Sequence, residues 1–271
     1  MTSDRSVLVA AVQMSSAFGD VAGNAGRLER LVHRASDAGA KIIVSPECAV
    51  PGYASADLRC IWRAESRTID PWFRPRDVTE VAEPVPGPTT ERFGRLARER
   101  GIWLLIGMIE RAGAAAHNAA VLLSPAGEVA AVHRKRWPWP AVEPAWATPG
   151  DLPPVRCPTP FGTLGVAVCY DIHRVRRLYA PGDLWALLFP AAWVDVDPPE
   201  KYFDRRFPKV ATTLGCHVVF ANHCSPRADV RFYGSGESAV YRADGSVAAR
   251  SSEQFAEDVV LAELPTAAGP L

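Results

Sequence analysis

The chain alternates short apolar runs with longer segments in which apolar residues recur at helical spacing. Residues 7–14 form an apolar run, residues 24–38 place leucine, valine and alanine on one helical face, and residues 42–44 form a second run. A strand, a helix and a strand in this order are typical of the start of an α/β fold. More strands are predicted at 102–108, 118–124, 129–133, 164–169, 184–189, 217–222 and 259–261, and more helices at 89–100 and 203–214.

Two turn signals predict hairpins. One is the segment at 125–128, which contains proline and glycine, and the other is Ala243-Asp244-Gly245. Such turns join antiparallel neighbours, so we expect mixed rather than purely parallel sheets. Pro208 interrupts the helical pattern at 203–214, and because proline lacks a backbone N–H we expect the helix to start there. No repeat or linker divides the chain, which predicts a single α/β domain over residues 1–271.

The charge balance and the length of the apolar runs argue against two classes of partner. Thirty lysine and arginine residues offset thirty aspartate and glutamate residues, so the formal net charge is zero. Nucleic-acid binders that rely on a strong basic field carry an excess of positive charge. The longest apolar run, residues 184–194, is shorter than the about 20 residues that span a bilayer. With no segment typical of a signal peptide, we expect a cytoplasmic protein that binds neither nucleic acid nor membranes.

Six cysteines lie too far apart for a disulfide framework, and no pair has CxxC spacing. They stand at positions 48, 60, 157, 169, 216 and 224. In the cytoplasm we expect reduced thiols, most of them buried. The pairs Cys216-His217 and His223-Cys224 suggest a zinc site, but adjacent residues on a strand point to opposite faces. We therefore expect no metal there.

Three polar residues stand where predicted strands end, which is where α/β folds place their sites. Glu47 follows the run at 42–44, Lys135 follows the second strand of the first hairpin, and Cys169 ends the run at 164–169. Taken singly, each has an ordinary alternative: a capping or solvated carboxylate, a solvated basic turn and a buried packing thiol. A thiol at a strand-to-helix turn can also be a nucleophile with backbone N–H groups nearby.

Motifs surround these three residues in a defined order. Ser45-Pro46-Glu47 is followed by Gly52-Tyr53, Asn118 precedes His133-Arg134-Lys135, and Cys169 lies within the segment 165–171. Further matching segments are 9–13, 19–24, 86–89, 107–110, 125–127, 143, 149–150, 189–193, 221–222 and 234–238. Together these segments resemble the nitrilase superfamily of carbon–nitrogen hydrolases almost end to end.

Two segments depart from the pattern of that family. Arg174-Val175-Arg176 stands where the family commonly has an aromatic residue, a proline and a glutamate. Residues 210–214 lack the arginine and glutamate that the family commonly has before Asn222. These departures bear on the choice of substrate more than on catalysis.

The resemblance implies a four-layer α-β-β-α sandwich and a Glu-Lys-Cys triad that needs no metal or organic cofactor. Glu47 would be the general base, Cys169 the nucleophile that forms a thioester, and Lys135 the positive charge that stabilises the oxyanion. Glu143 would be a second carboxylate that holds Lys135 and substrate in position; its alternative is a solvated loop glutamate. Cys48 neighbours Glu47, but on an extended segment its side chain is expected to point the opposite way.

The expected substrate is a small linear amide, because Tyr170-Asp171 after Cys169 resembles the amidase and carbamoylase branches of the family. Candidate substrate-binding residues are Tyr53, Tyr170, Trp139 and Trp193. Trp137 and Trp146 are further candidates to line the pocket, and two of the four tryptophans are expected only to pack in the core.

Several alternatives to an amidase stay open. The same residues would serve an N-carbamoyl hydrolase, a true nitrilase, or an acyltransferase that passes the thioester to an amine. A non-catalytic binding protein on the same scaffold is a further alternative. Family members usually pair helix faces, which implies a homodimer or a larger even oligomer, with residues 203–214 and 174–179 at the interface.

Overall fold

The computed structural model describes residues 6–53, 62–63, 68–69, 77–140, 142–193, 199–224, 234–253 and 255–266. The α-helices are α1 (Val21–Asp37), α2 (Pro88–Arg100) and α3 (Pro199–Leu214), and 3₁₀ helices cover Glu143–Ala145 and Cys169–Arg177. The strands are β1 (Ser6–Gln13), β2 (Ile42–Val44), β3 (Trp62–Arg63), β4 (Thr68–Ile69), β5 (Trp103–Ala112), β6 (Ala115–Leu123), β7 (Val129–Arg134), β8 (Leu164–Val166), β9 (Ala186–Ala191), β10 (His217–Asn222), β11 (Ala239–Tyr241), β12 (Val247–Arg250) and β13 (Asp258–Pro265). Cys60 lies outside the described residues.

Two mixed sheets form the centre of the protein. The first has the strand order β13-β1-β2-β5-β6-β7, in which β1, β2 and β5 are parallel and the other neighbours are antiparallel. The second has the order β12-β11-β10-β9-β8, in which β8, β9 and β10 are parallel. β3 and β4 form a separate antiparallel pair. The prediction of mixed sheets is confirmed.

The two large sheets pack face to face, and helices cover their outer faces. Val7, Val9 and Ala11 of β1 lie in the apolar cluster between the sheets, whereas Ala10 and Val12 lie in the cluster under α1 and α2. This alternation follows from the period of two in a strand. α3 and the 3₁₀ helix Cys169–Arg177 bury their apolar side chains against the second sheet. The four-layer α-β-β-α sandwich is therefore confirmed.

Local signals explain where α1 begins and which face it buries. The Asp20 side chain accepts a hydrogen bond of 3.1 Å from the Gly23 backbone N–H, which caps the N-terminus of the helix. Leu28, Val32 and Ala35 recur at helical spacing and are fully buried. Among the described residues, no helix is both long and apolar enough to cross a membrane.

The structure corrects two local predictions and shows one hairpin that was not predicted. Pro208 lies inside α3 rather than at its start. The missing N–H removes one helical hydrogen bond, but the complete burial of Phe203 and Phe207 against the second sheet keeps the helix continuous. β8 ends at Val166 rather than at residue 169. A third hairpin, from β5 to β6, turns at Gly113, whose φ of 61° suits glycine, and the sequence signals did not predict it.

The buried apolar side chains described in α3 pack within their own chain. Phe203, Phe207 and Ala211 are fully buried in the outer layer of their own chain. Val175 and Tyr179, from the other segment assigned to an interface, are buried in the same cluster. Other side chains of the two segments, such as Asp204, Lys209 and Arg176, are exposed, so an interface there and a homodimer or larger even oligomer stay predictions.

Candidate active site

Glu47 lies in a turn directly after β2, and its carboxylate is buried. Oε1 accepts hydrogen bonds from Asn118 Nδ2 and Lys135 Nζ, both at 2.6 Å. Oε2 accepts one from the Ala192 backbone N–H at 2.7 Å. The turn lies directly over β5 at Gly107, where a Cβ would stand 2.1 Å from a carbonyl oxygen of the turn. Glycine at this position therefore permits the close approach that places Glu47.

Lys135 follows β7, and its side chain is completely buried. The β6–β7 hairpin positions it, since its backbone N–H donates to the Asn118 carbonyl oxygen at 2.7 Å. Nζ donates to Oε1 of Glu47 and to Oε1 of Glu143, both at 2.6 Å. Burial alone would lower the pKa of Lys135, but the charges of Glu143 and Glu47 outweigh it and raise the pKa well above its ordinary value. The ammonium group is therefore a fixed positive charge.

Glu143 begins a 3₁₀ helix and is fully buried, so it is not a solvated loop residue. Oε1 accepts hydrogen bonds from Tyr53 Oη at 2.7 Å, from Asn118 Nδ2 at 3.1 Å and from Lys135 Nζ at 2.6 Å. Oε2 accepts one from the Trp139 backbone N–H at 2.5 Å. Burial raises the pKa of Glu143, and the positive charge of Lys135 opposes that rise. Four donors around one carboxyl group suit an ionised carboxylate.

Cys169 stands at the N-terminus of the 3₁₀ helix that follows β8 and is partly buried. Its φ of 45° lies in the left-handed region, which is uncommon for a residue with a side chain and marks a sharp turn. Burial, followed by the negative charge of Glu47, raises the pKa of the thiol well above its ordinary value. The Ala192 N–H that binds Glu47 also lies against the Cys169 sulfur. The thiol is therefore protonated at neutral pH and needs a base to become a nucleophile.

Asn118 connects the two carboxylates, and the sequence analysis did not assign it to the site. Its Nδ2 donates to both Glu47 and Glu143, and its side chain is buried. The available signal was its place in the motif that precedes His133-Arg134-Lys135, and in the structure its carbonyl oxygen accepts the Lys135 N–H. A buried amide at this place orients both carboxylates toward Lys135.

Cys48 does not point away from the site. Its φ of 48° places it in a turn rather than on an extended segment. The thiol is fully buried, and Sγ lies 3.6 Å from Oδ1 of Asn118. The expected orientation is wrong because alternation of side chains holds only along extended backbone. Burial raises the pKa of Cys48 well above its ordinary value, so its thiol is a donor to Asn118.

The aromatic residues predicted to bind substrate lie around these groups in different ways. The Tyr53 hydroxyl is committed to Glu143, and Trp139 contributes its backbone N–H to the same carboxylate. Tyr170 and Trp193 are partly exposed, and their ring centroids lie 4.7 and 5.8 Å from that of His173. Contact of these four side chains with a substrate stays a prediction.

The other two tryptophans also have neighbours in the structure. Trp146 packs edge-on against Tyr53 at 6.5 Å between ring centroids. The Arg174 guanidinium lies over the ring of Trp137, with Cζ 5.7 Å from the ring centroid. Arg174 and Arg176 line a basic surface cavity of about 360 Å³ together with Arg177, Arg206 and Lys209. The residues that line this cavity do not include Cys169, so Arg174 is oriented toward a separate depression.

The four residues considered for zinc lie at opposite ends of one strand. Cys216 and His217 stand at the start of β10, and His223 and Cys224 follow its last residue. Six strand residues span about 20 Å, which is far more than one ion can bridge. In the part of the chain that the structure describes, no group of three or more histidine, cysteine, aspartate or glutamate side chains could hold a metal ion.

The family model described as carbon-nitrogen hydrolase matches residues 8–269. The chain belongs to the carbon-nitrogen hydrolase family. This confirms the resemblance to the nitrilase superfamily drawn from the motifs around Glu47, Lys135 and Cys169.

Relatives of this carbon-nitrogen hydrolase carry several descriptions. Nitrilase 3 from Arabidopsis thaliana is 30% identical over 181 residues, which are 65% of this chain and 51% of that protein. Deaminated glutathione amidase from Mus musculus is 30% identical over 197 residues, 66% of this chain and 60% of that protein. These matches therefore cover only about half to three fifths of the relatives' own length.

The fold of this carbon-nitrogen hydrolase is also found in solved structures. An amidase from Nesterenkonia sp. superposes with a TM-score of 0.76 over 96% of this chain and 90% of that chain, at 23% identity. At that identity the likeness supports the fold alone. The arrangement of Glu47, Lys135 and Glu143 described above rests on the contacts within this chain.

Proposed function

We propose that this carbon-nitrogen hydrolase is a thiol hydrolase that cleaves the C–N bond of a small linear amide and releases ammonia or an amine. The observation that supports it is the position of the Lys135 ammonium, whose Nζ lies 2.6 Å from Oε1 of both Glu47 and Glu143. The charges of these three residues all act on the Cys169 thiol. A buried cation, a carboxylate base and a protonated thiol are the groups that acyl transfer through a thioester requires.

Acylation would begin with proton transfer from Cys169 to Glu47. Because its pKa is raised, the thiol carries little thiolate at neutral pH, and the base must act as the sulfur attacks the amide carbon. The Ala192 N–H donates to Oε2 of Glu47 and also acts on the Cys169 sulfur, so the carboxylate and the thiol share this neighbour. The step forms a C–S bond and moves the carbonyl electron pair onto oxygen.

Lys135 would stabilise the oxyanion that forms. Two carboxylates already hold its ammonium group, so little reorganisation is needed when negative charge develops on the substrate. Preorganised donors of this kind contribute roughly 3–4 kcal/mol each. The backbone N–H that follows Cys169 would be a second donor.

The C–N bond then breaks as Glu47 returns the proton to the leaving nitrogen, and the acyl group stays on Cys169 as a thioester. Glu47 next takes a proton from a water molecule, whose oxygen attacks the thioester carbon. The C–S bond breaks, the proton returns to sulfur, and the carboxylic acid leaves. One water is consumed for each amide, and these steps need no redox partner.

Nitrile hydrolysis is the second candidate, because relatives at 30% identity include a nitrilase as well as an amidase. We favour amides because Tyr170 and Asp171 follow the nucleophile, as in the amidase and carbamoylase branches. In either case the thioester on Cys169 is the shared intermediate.

Ammonia release from a panel of short aliphatic amides and the matching nitriles tests the proposal. We expect turnover of amides, and loss of turnover by several orders of magnitude in C169A. Intact-protein mass spectrometry should show an acyl adduct on Cys169, with Cys157 as the unmodified reference thiol. Turnover of nitriles with every amide inert would replace the proposal by the nitrilase alternative. Added hydroxylamine reports acyl transfer if it diverts most of the product.

A further inference from the structure

His223 connects the end of the second sheet to two backbone carbonyl groups of the first sheet. It follows the last residue of β10 and is fully buried. Its Nε2 lies 2.7 Å from the carbonyl oxygen of Glu47, and its Nδ1 lies 2.9 Å from that of Met14. Met14 directly follows β1, and Glu47 lies in the turn after β2. One imidazole ring thus spans the two sheets at the edge where the site is built.

The chemistry of these contacts requires His223 to be the donor. A backbone carbonyl oxygen only accepts hydrogen bonds, so each contact needs an N–H on the ring. A neutral ring donates to one of the two oxygens, and a protonated ring donates to both. Burial lowers the pKa of His223, and the hydrogen bonds to Glu47 and Met14 oppose that effect. The ring lies between the residues that follow β1 and β2, with one nitrogen facing each carbonyl oxygen.

The position matters because the two sheets supply different parts of the site. Glu47 and Lys135 follow strands of the first sheet, whereas Cys169 follows β8 of the second. Glu47 meets the second sheet through three groups: its N–H donates to the Ala191 carbonyl oxygen at 3.4 Å, its carboxylate accepts from Ala192, and its carbonyl oxygen lies 2.7 Å from Nε2 of His223. Of the two contacts to the backbone of Glu47, the one with His223, at 2.7 Å, is shorter than the one with Ala191, at 3.4 Å.

We propose that His223 is a positioning residue, which holds the backbone of Glu47 against the second sheet and so sets the distance from its carboxylate to the Cys169 thiol. This inference rests on the proposed role of Glu47 as the general base. Nothing in the proposal requires His223 to touch the substrate. Its loss should therefore lower kcat and leave KM nearly unchanged.

The test compares H223F, H223Q and H217F. Phenylalanine removes both ring nitrogens while filling the space of the ring, and glutamine keeps N–H groups on a single nitrogen. His217 is the matched control, because it is a buried histidine at the opposite end of β10. We expect kcat to fall about 10–100-fold in H223F, with a smaller fall in H223Q. H217F should keep kcat near the wild-type value, with KM similar in all four proteins.

A second readout does not depend on the substrate. The rate at which a haloacetamide alkylates Cys169, measured against Cys157 in the same protein, reports how well Glu47 removes the thiol proton. It should be slower in H223F than in H217F, by a factor similar to that in kcat. Slow alkylation together with a wild type inert toward every amide would keep this inference and reject the proposed substrate.

Wild-type kcat and alkylation rates in H223F would overturn the inference. Equal losses in H223F and H217F would overturn it as well, because they would indicate a structural role for any buried histidine of β10. If H223F does not fold, H223Q decides: unchanged kcat and unchanged alkylation of Cys169 would then reject the positioning role.

Discussion

The Nε2 atom of His133 lies 2.8 Å from Oδ2 of Asp171, and both side chains are buried. His133 precedes Lys135 by two residues, and Asp171 follows Cys169 by two. The Asp171 carboxylate also accepts hydrogen bonds from the Val168 N–H at 3.1 Å and the Trp137 N–H at 2.9 Å. The Asp171 carboxylate therefore binds the residue before the proposed nucleophile and, through His133 and Trp137, the chain on both sides of Lys135.

This contact predicts that D171N destabilises the protein and slows catalysis. The asparagine amide would have one acceptor oxygen for the three donors of His133, Trp137 and Val168. Its NH₂ group would therefore face at least one of these N–H groups. Leaving such buried donors unsatisfied costs about 1–3 kcal/mol. Urea unfolding and kcat measure the two effects, and D183N is the control because Asp183 forms an exposed pair with Arg156. A D171N protein as stable and active as the wild type would remove this role from Asp171.

Replacing the proposed base should be almost as harmful as replacing the nucleophile. E47Q removes the group that takes the proton of Cys169, and the raised pKa of that thiol leaves little thiolate to compensate. We expect kcat to fall by several orders of magnitude, because removing one member of a catalytic unit costs nearly as much as removing several members together. Steady-state rates for E47Q, C169A and the double variant measure this. E29Q, on the partly exposed Glu29–Arg92 pair, is the control. Substantial turnover by E47Q would assign the base to another residue.

Removing the buried cation should destabilise the fold. K135M would leave the carboxylates of Glu47 and Glu143 buried without their shared positive charge. Breaking a buried ion pair by removing one partner costs about 3–5 kcal/mol. Denaturant unfolding of K135M and of K135M/E143Q measures this cost. The second variant should recover part of the loss, since it removes one uncompensated carboxylate. Equal stability of K135M and the wild type would show that the carboxylates are not both ionised.

Buried thiols make the stability of the protein fall at alkaline pH. Burial raises the pKa of Cys216 from 9.0 to about 12, and it raises that of Cys224 equally. Above pH 9.0 the unfolded chain loses these protons while the folded chain keeps them, so the free energy of unfolding decreases as pH rises. The decrease is up to about 1.4 kcal/mol per thiol per pH unit.

Urea unfolding at a series of pH values between neutral and strongly alkaline tests this window. The variant C216A/C224A should show a shallower decrease than the wild type, because two proton-binding groups of the folded state are gone. Identical slopes for the two proteins would indicate that these thiols ionise in the folded chain.

Local patterns determined much of the architecture. The apolar residues of α1 recur with a period of 3.6, and the uninterrupted apolar run of β1 is typical of a strand buried on both faces. The turn at Gly127 and the turn at Gly245 have positive φ, as their residue types suggest. The start of α3 at Pro208 is predicted wrongly. The helix continues through this proline because it is buried against a sheet whose strands are distant in sequence.

Short motifs in the sequence indicate the family and select three residues of the candidate site. The motifs around Glu47, Lys135 and Cys169 are short, and each lies within a few residues of a strand end, so they can be read without knowing the fold. Glu143 was found by the same resemblance. None of these motifs states which side chain meets which.

The partners of those residues come from distant parts of the chain and follow from how it folds. Asn118 reaches Glu47 across 71 positions of the chain, and His223 reaches the Glu47 carbonyl oxygen across 176. Cys48 turns toward Asn118 because the backbone after Glu47 adopts a positive φ that no periodic pattern indicates. Such contacts depend on the order of strands in each sheet and on how the two sheets pack. The strand order and the packing of the two sheets are set by burial of the whole core. The residues next to Asn118 or His223 in sequence therefore do not indicate these contacts.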